Sequence, residues 1–139
     1  MSGILEGVKV LDFGRYIAGP FCGALLADYG AEVIRVERVD GSEDRYVTPV
    51  SKDGQGAMFL QLNRNKLGLT LNPTKDKGKE IVKKLVEKAD IVIANLPEQT
   101  LKSMGLDYDK LKSINEGIIL TSNTAFGTTG PYADRVGFD

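Results

Sequence analysis

Apolar residues fall into two alternating rhythms along this chain, one of short β-rich runs and one of helical spacing. Val8, Val10 and Leu11 open the first run. Gly14 and Gly19 then loosen a turn, and Pro20 stands where a first helical residue needs no free N–H. Phe21, Leu25, Leu26 and Tyr29 recur at helical spacing, Gly30 stops that helix, and Val33, Ile34 and Val36 form the next β-rich run. Two strands joined by a crossover helix lie parallel, so this opening predicts a βαβ unit.

The rhythm breaks over residues 39–56, which are polar, glycine-containing and aperiodic. Such a stretch reads either as a lid or binding loop or as a surface excursion. Met58, Phe59 and Leu62 suggest one helical turn, and Leu67, Leu69 and Leu71 alternate as a half-buried strand does. Residues 74–88 carry the clearest helical pattern, with Ile81, Val82, Leu85, Val86 and Ala89 as one apolar stripe. Thr74 is the expected N-cap, and Asp76 suits the first turn. A buried strand over residues 90–94 completes a second βαβ unit. Two short helices, 98–104 and 108–114, are separated at Gly105, and residues 117–121 supply another strand. The expected fold is α/β, a Rossmann-like open parallel sheet with helices on both faces. A domain spanning residues 1–121 is followed by a Gly/Thr-rich tail, 122–139, which reads as the start of a longer segment because nothing follows for it to pack against.

Composition narrows the function. With 18 basic and 19 acidic residues the formal charge is −1, which gives no electrostatic case for nucleic-acid binding. Lys75, Lys77, Lys79, Lys83, Lys84 and Lys88 are interleaved with Asp76, Glu80 and Glu87 and read as a solvated helix face. No histidine is present, which removes Ser–His and Cys–His catalysis and the commonest metal ligand together. The single cysteine, Cys22, cannot form an intrachain disulfide, so a reducing, cytoplasmic setting is the expectation, with no membrane span and no metal. Cys22 could be activated at a helix start, but its apolar neighbours favour packing.

The turn after the first strand has a built-in ligand site, because the N–H groups that open a helix are unpaired and carry the positive end of its dipole. The GxGxxG fingerprint of a dinucleotide site is missing. The chain has Gly14-Arg15-Tyr16-Ile17-Ala18-Gly19-Pro20 instead, which is bulkier and ends in proline. After the second strand Glu37 is followed by Arg38, a placement that suits a ribose bearing a phosphate or, equally, a solvated strand end.

Four segments together carry a resemblance. They are Ala18-Gly19-Pro20-Phe21 through the run from Asp28 to Glu37, Leu62-Asn63-Arg64-Asn65-Lys66, Ala89-Asp90-Ile91-Val92-Ile93-Ala94-Asn95, and the stretch from Gly127-Thr128-Thr129-Gly130-Pro131 to Gly137-Phe138-Asp139. In this order and spacing they resemble the family III coenzyme A transferases, which include formyl-CoA transferase, carnitine CoA-transferase and α-methylacyl-CoA racemase. The resemblance covers essentially the whole chain as the N-terminal part of the family's large domain.

The resemblance implies a Rossmann-like domain that holds coenzyme A as substrate. It also implies an aspartate that attacks the acyl thioester, passes through a mixed anhydride and becomes an aspartyl–CoA thioester, from which a second acid collects the CoA. That aspartate is expected beyond Asp139, so no catalytic residue is assigned here and the chain alone is expected to be inactive. Carried over position by position, the CoA contacts fall at Ile17, Ala18, Arg38, Leu71, Asn72, Pro73, Thr74, Asn95, Leu96, Pro97, Val136, Gly137, Phe138 and Asp139. Arg38 is the expected phosphate partner, since a planar fork suits a phosphate better than an ammonium does.

Departures from the family pattern qualify this. Ile17 stands where formyl-CoA transferase has a polar side chain, Ser103 beside Lys102 replaces a basic residue, and Phe138 replaces the histidine of the racemase branch. The implied partners are an acyl-CoA and a small carboxylic acid, with a homodimer as the implied assembly. A free-standing CoA or adenine-nucleotide binding module, or an interaction module without catalysis, is the competing reading, and the tail at Gly127, Gly130 and Pro131 can equally be a simple flexible loop.

Overall fold

The structure, a computed structural model, describes residues 3–47, 49–133, 135 and 137. Its elements run β1 (Lys9–Asp12), α1 (Ala18–Asp28), β2 (Glu32–Glu37), a 3-10 turn (Glu43–Tyr46), α2 (Ala57–Leu62), β3 (Leu67–Thr70), α3 (Asp76–Val86), β4 (Ile91–Ala94), α4 (Glu98–Met104), α5 (Tyr108–Ile114) and β5 (Ile119–Ser122). The strands form one parallel sheet in the order β3-β2-β1-β4-β5. Asp12 lies opposite Arg35 and Ile93, Glu37 opposite Thr70, and Ala94 opposite Ser122, so every strand ends at the same edge. The chain builds outward from β1 to one side, then returns to build on the other. The point where the order reverses, between β1 and β4, is where sheets of this kind open a crevice.

Strand pleating sorts alternate residues onto two faces. Leu11, Phe13, Val36 and Val92 turn toward α3, α4 and α5, where they meet Val82, Val86, Leu101, Leu106 and Leu111 in the larger core. Val10, Val33 and Ile93 turn the other way, onto Ala27 and Ala31. The expected α/β sheet with helices on both faces is therefore present.

Three local expectations need correction. The spacing that marks α1 does not mark its buried side: Phe21, Leu25 and Tyr29 are 45%, 40% and 57% exposed, while Gly19, Pro20, Gly23, Ala24 and Ala27 face inward. Small residues let the helix backbone come close to the sheet, and close approach decides which side is buried. Thr74 does not cap α3. Its hydroxyl donates to Asn72 Oδ1 at 2.7 Å, and the helix begins after Lys75 without a side-chain cap. Nor do residues 39–56 form a plain excursion. Arg45 and Asp44 in the 3-10 turn reach back to Glu37 and Arg35, Gly56 N–H donates to the Arg45 carbonyl at 2.6 Å, and Val50 bridges Gly56. The lysines of α3 are exposed, as the solvated-face reading expects.

Candidate functional site

The loop after β1 is shaped by unusual backbone demands. Gly14 and Gly19 touch: a Cβ on Gly14 would lie 2.7 Å from Gly19 Cα, so the two glycines close the neck of the loop in place of a dinucleotide fingerprint. Between them Tyr16 holds φ at 57°, a conformation that costs a non-glycine residue roughly 1–3 kcal/mol. Asn95, just past β4, holds this loop with both ends of its amide. Its Oδ1 accepts from Arg15 N–H at 2.6 Å, and its Nδ2 donates to the Arg15 carbonyl at 2.8 Å. Asn95 thus bridges the point at which strand order reverses.

Beneath the loop lies a buried ionic floor. Lys66 donates to Asp12 Oδ2 at 2.7 Å, to the Pro20 carbonyl at 2.7 Å and to Asn63 Oδ1 at 3.0 Å, which uses all three ammonium protons. Asp12 Oδ1 accepts from Gly14 N–H at 2.7 Å. Arg35 grips both oxygens of Asp44, at 3.0 and 2.8 Å. Burial lowers the Lys66 pKa, against the opposing pull of Asp12. Burial, with Asp12 nearby, raises the Cys22 thiol, so the structure favours the packing reading of that residue.

Above the opposite, apolar face, at the carboxyl edge, lies a cavity of about 610 Å³. That is within the range of about 300–1,000 Å³ usual for small-molecule sites. Phe13, Val36, Leu71, Pro73, Leu96 and Met104 supply its apolar surface, and Arg15, Arg38, Asn72, Thr74 and Thr100 are among its polar groups. The residue 72–74 wall is set by Gly78, where a Cβ would come within 1.8 Å of the Asn72 carbonyl oxygen. Only glycine lets α3 start directly against this loop.

The charges around the cavity are mostly committed. Glu37 accepts from Arg45 Nη2 at 2.5 Å and Nε at 2.8 Å, which holds its carboxyl below the usual range. It also accepts from Ser42 N–H at 3.2 Å, and so is fixed in the protein's own framework. Arg38, the expected phosphate partner, is 56% exposed and ion-paired with Glu43 at 2.7 Å and, more loosely, with Asp40 at 3.9 Å. Arg15 is different. Its Nη1 donates to the carbonyls of Phe13, Gly14 and Val36, and no carboxylate among the described residues pairs with it.

The sequence-derived contact residues divide accordingly. Arg38, Leu71, Asn72, Pro73, Thr74 and Leu96 line the cavity. Ile17 and Ala18 are exposed at the start of α1, Pro97 is exposed ahead of α4, and Asn95 is engaged with Arg15. Gly137 is exposed near Ala125 and Phe126 and is not among the residues that line the cavity, while Val136, Phe138 and Asp139 lie outside the described residues. Arg15 lines the cavity although the sequence reading did not select it. The signal available was a basic residue in the loop leaving the first strand, at the crevice of an open α/β sheet.

Among the described residues no helix is long and apolar enough to cross a membrane, and no group of three or more His, Cys, Asp or Glu could hold a metal ion. Comparison with known proteins agrees with the fold. The (R)-2-hydroxy-4-methylpentanoate CoA-transferase of Clostridioides difficile is 39% identical over 141 residues, covering 98% of this chain and 35% of that protein. The human succinyl-CoA:glutarate CoA-transferase is 40% identical over 136 residues, covering 97% of this chain and 31% of its own. A crystal structure of a CaiB/BaiF family protein from Brucella suis superposes with a TM-score of 0.93 at 41% identity, over 100% of this chain and 38% of that one. The chain thus spans about a third of the length of the curated relatives it matches. The family model described as CoA-transferase family III matches residues 5–139, and on that evidence the chain belongs to CoA-transferase family III.

Proposed function

We propose that this chain forms the CoA-binding part of an enzyme that moves coenzyme A from an acyl-CoA to a carboxylic acid. The observation that carries this reading is the cavity at the carboxyl edge, where Arg38, residues 71–74 and Leu96, separated in sequence, share one wall. Its apolar surface suits an adenine ring, and its polar rim suits the attached phosphates. Arg38 would exchange Glu43 for a phosphate, a small rearrangement because that ion pair is exposed. Ile17, Ala18, Asn95, Pro97 and residues 136–139 would meet the ligand beyond the cavity.

Each carboxylate at the cavity faces an arginine: Glu37 faces Arg45, and Glu43 and Asp40 face Arg38. Glu37 is held by Arg45 in the protein's own framework, and the aspartyl nucleophile of the transfer is assigned, on the family resemblance, outside these 139 residues. Acyl-CoA and a small carboxylic acid are the proposed partners, a cytoplasmic homodimer the proposed setting.

Calorimetric titration of the 139-residue chain with CoA tests the reading, paired with an assay for CoA exchange between two carboxylic acids. Saturable binding below millimolar CoA without exchange is expected. No binding at millimolar CoA overturns the site, and exchange by this chain alone overturns the assignment of the nucleophile. A binding module without chemistry is the reading left standing if every longer form of the protein also binds CoA without transferring it.

A further inference from the structure

Arg15 occupies a position that the residues matched to the family pattern do not include. Its side chain folds back across the ends of β1 and β2, with Nη1 donating to Phe13 O at 3.0 Å, Gly14 O at 2.9 Å and Val36 O at 3.3 Å. Its backbone is fixed at both N–H and C=O by Asn95. The guanidinium is therefore aimed by two independent restraints, one on each end of the residue. Among the described residues Nε and Nη2 donate to nothing, and every other cavity-lining charge has an oppositely charged partner.

Burial and the nearby Arg35 act against its positive charge, and Asp44, Glu43 and Asp12, none of them hydrogen-bonded to it, act in its favour. A partly desolvated cation held only on carbonyls gains further from an anion that reaches its remaining donors. The planar fork, with one nitrogen already anchored on carbonyls, presents its remaining donors in a fixed direction, and so suits a phosphate oxygen.

We propose that Arg15 is the principal phosphate-gripping residue of this cavity, ahead of Arg38, and that Asn95 positions it. This rests on the reading of the cavity as a CoA site. The ligand group is a phosphate of the nucleotide end, either the 3′-phosphate or the diphosphate.

The test compares the parent chain with Arg15→Gln, Arg15→Lys and Arg38→Gln. Each is titrated with CoA and 3′-dephospho-CoA by calorimetry and with adenosine by NMR chemical shifts, alongside thermal melting. Arg15→Gln should weaken CoA about tenfold to a hundredfold, as expected for a hydrogen bond to a charged group. It should leave adenosine binding unchanged. Arg15→Lys should recover part of the loss, and Arg38→Gln should lose less than Arg15→Gln. If the Arg15→Gln loss disappears with 3′-dephospho-CoA, the 3′-phosphate is the partner; if it persists, the diphosphate is.

Parental CoA affinity in Arg15→Gln overturns the inference while leaving the CoA reading intact. So does an equal loss for adenosine and CoA, which would mean that the residue only shapes the loop. If Arg15→Gln does not fold, Arg15→Lys decides: a folded Lys variant with parental CoA affinity and parental salt dependence overturns the preference for a fork. Failure of the parent chain to bind CoA removes the CoA reading and this inference with it.

Discussion

The two faces of the sheet differ most where they approach the site. Toward α3, α4 and α5, the central strands end in hydrocarbon, with Leu11, Phe13, Ile34 and Val36 against buried Leu106 and Leu111. Toward α1 and the segment around the 3-10 turn, the same strands end in charge, with Asp12 on Lys66, Arg35 on Asp44 and Glu37 on Arg45. Apolar burial is non-directional and supplies stability in proportion to area. A buried ion pair adds little net stability, but it tolerates one geometry only. Our reading is that the hydrocarbon face holds the domain together while the charged face fixes the route of residues 38–66 and, through Asp12 and Gly14, the loop that carries Arg15.

Removing one partner of a buried pair should have the largest effect. Lys66→Met leaves the Asp12 carboxylate buried and uncompensated and should cost about 3–5 kcal/mol in urea denaturation. The double change Asp12→Leu with Lys66→Met should recover much of that. A double variant no more stable than the single one would mean that the pair contributes stability in its own right, and the contrast between the faces would fail.

On the hydrocarbon face, Leu111→Ala should cost about 2–5 kcal/mol, with no second substitution able to restore it by matching charge. If the loss were under about 0.5 kcal/mol, the size expected of a surface change, that face would not be the stabilising one.

The smallest effect is one of pH. Arg45 holds the Glu37 carboxyl below its ordinary value, so its contribution is present above the unfolded pKa of about 4.3 and is lost as pH falls through the lower, folded value. Urea midpoints measured from pH 7 down to about pH 3 should therefore show Glu37→Gln furthest below the parent at neutral pH, the gap closing in acid. A gap independent of pH would show that the carboxylate charge plays no part.

The hydrocarbon half of this contrast was legible in the sequence, and the charged half was not. Val82 and Val86 recur on a helical stripe, and Val92 to Ala94 form an apolar run, so periodicity alone located them and the strands they cover. Asp44 gives no such signal: an acid in a polar, glycine-containing stretch reads as solvated, yet it is fully buried because Arg35, nine positions earlier, reaches it. Arg38 was selected as a cation beside a strand end, but sequence does not display the competing Glu43. Arg15 stayed unselected for the opposite reason, since its lack of a carboxylate partner is a property of the folded surroundings and not of any motif. Residues 71–74, carried over from the family resemblance, line the cavity, and the fold explains why: they directly follow a strand, and a parallel sheet delivers every such segment to one edge.

The bond between Lys66 and Asp12 joins positions 54 residues apart. During synthesis Asp12 emerges long before its counterion exists, and without that counterion burying the carboxylate beneath α1 is costly. The docking of the first helix is therefore coupled to a residue far along the chain, and we expect β1 through β3 to assemble as one unit rather than in a series of steps.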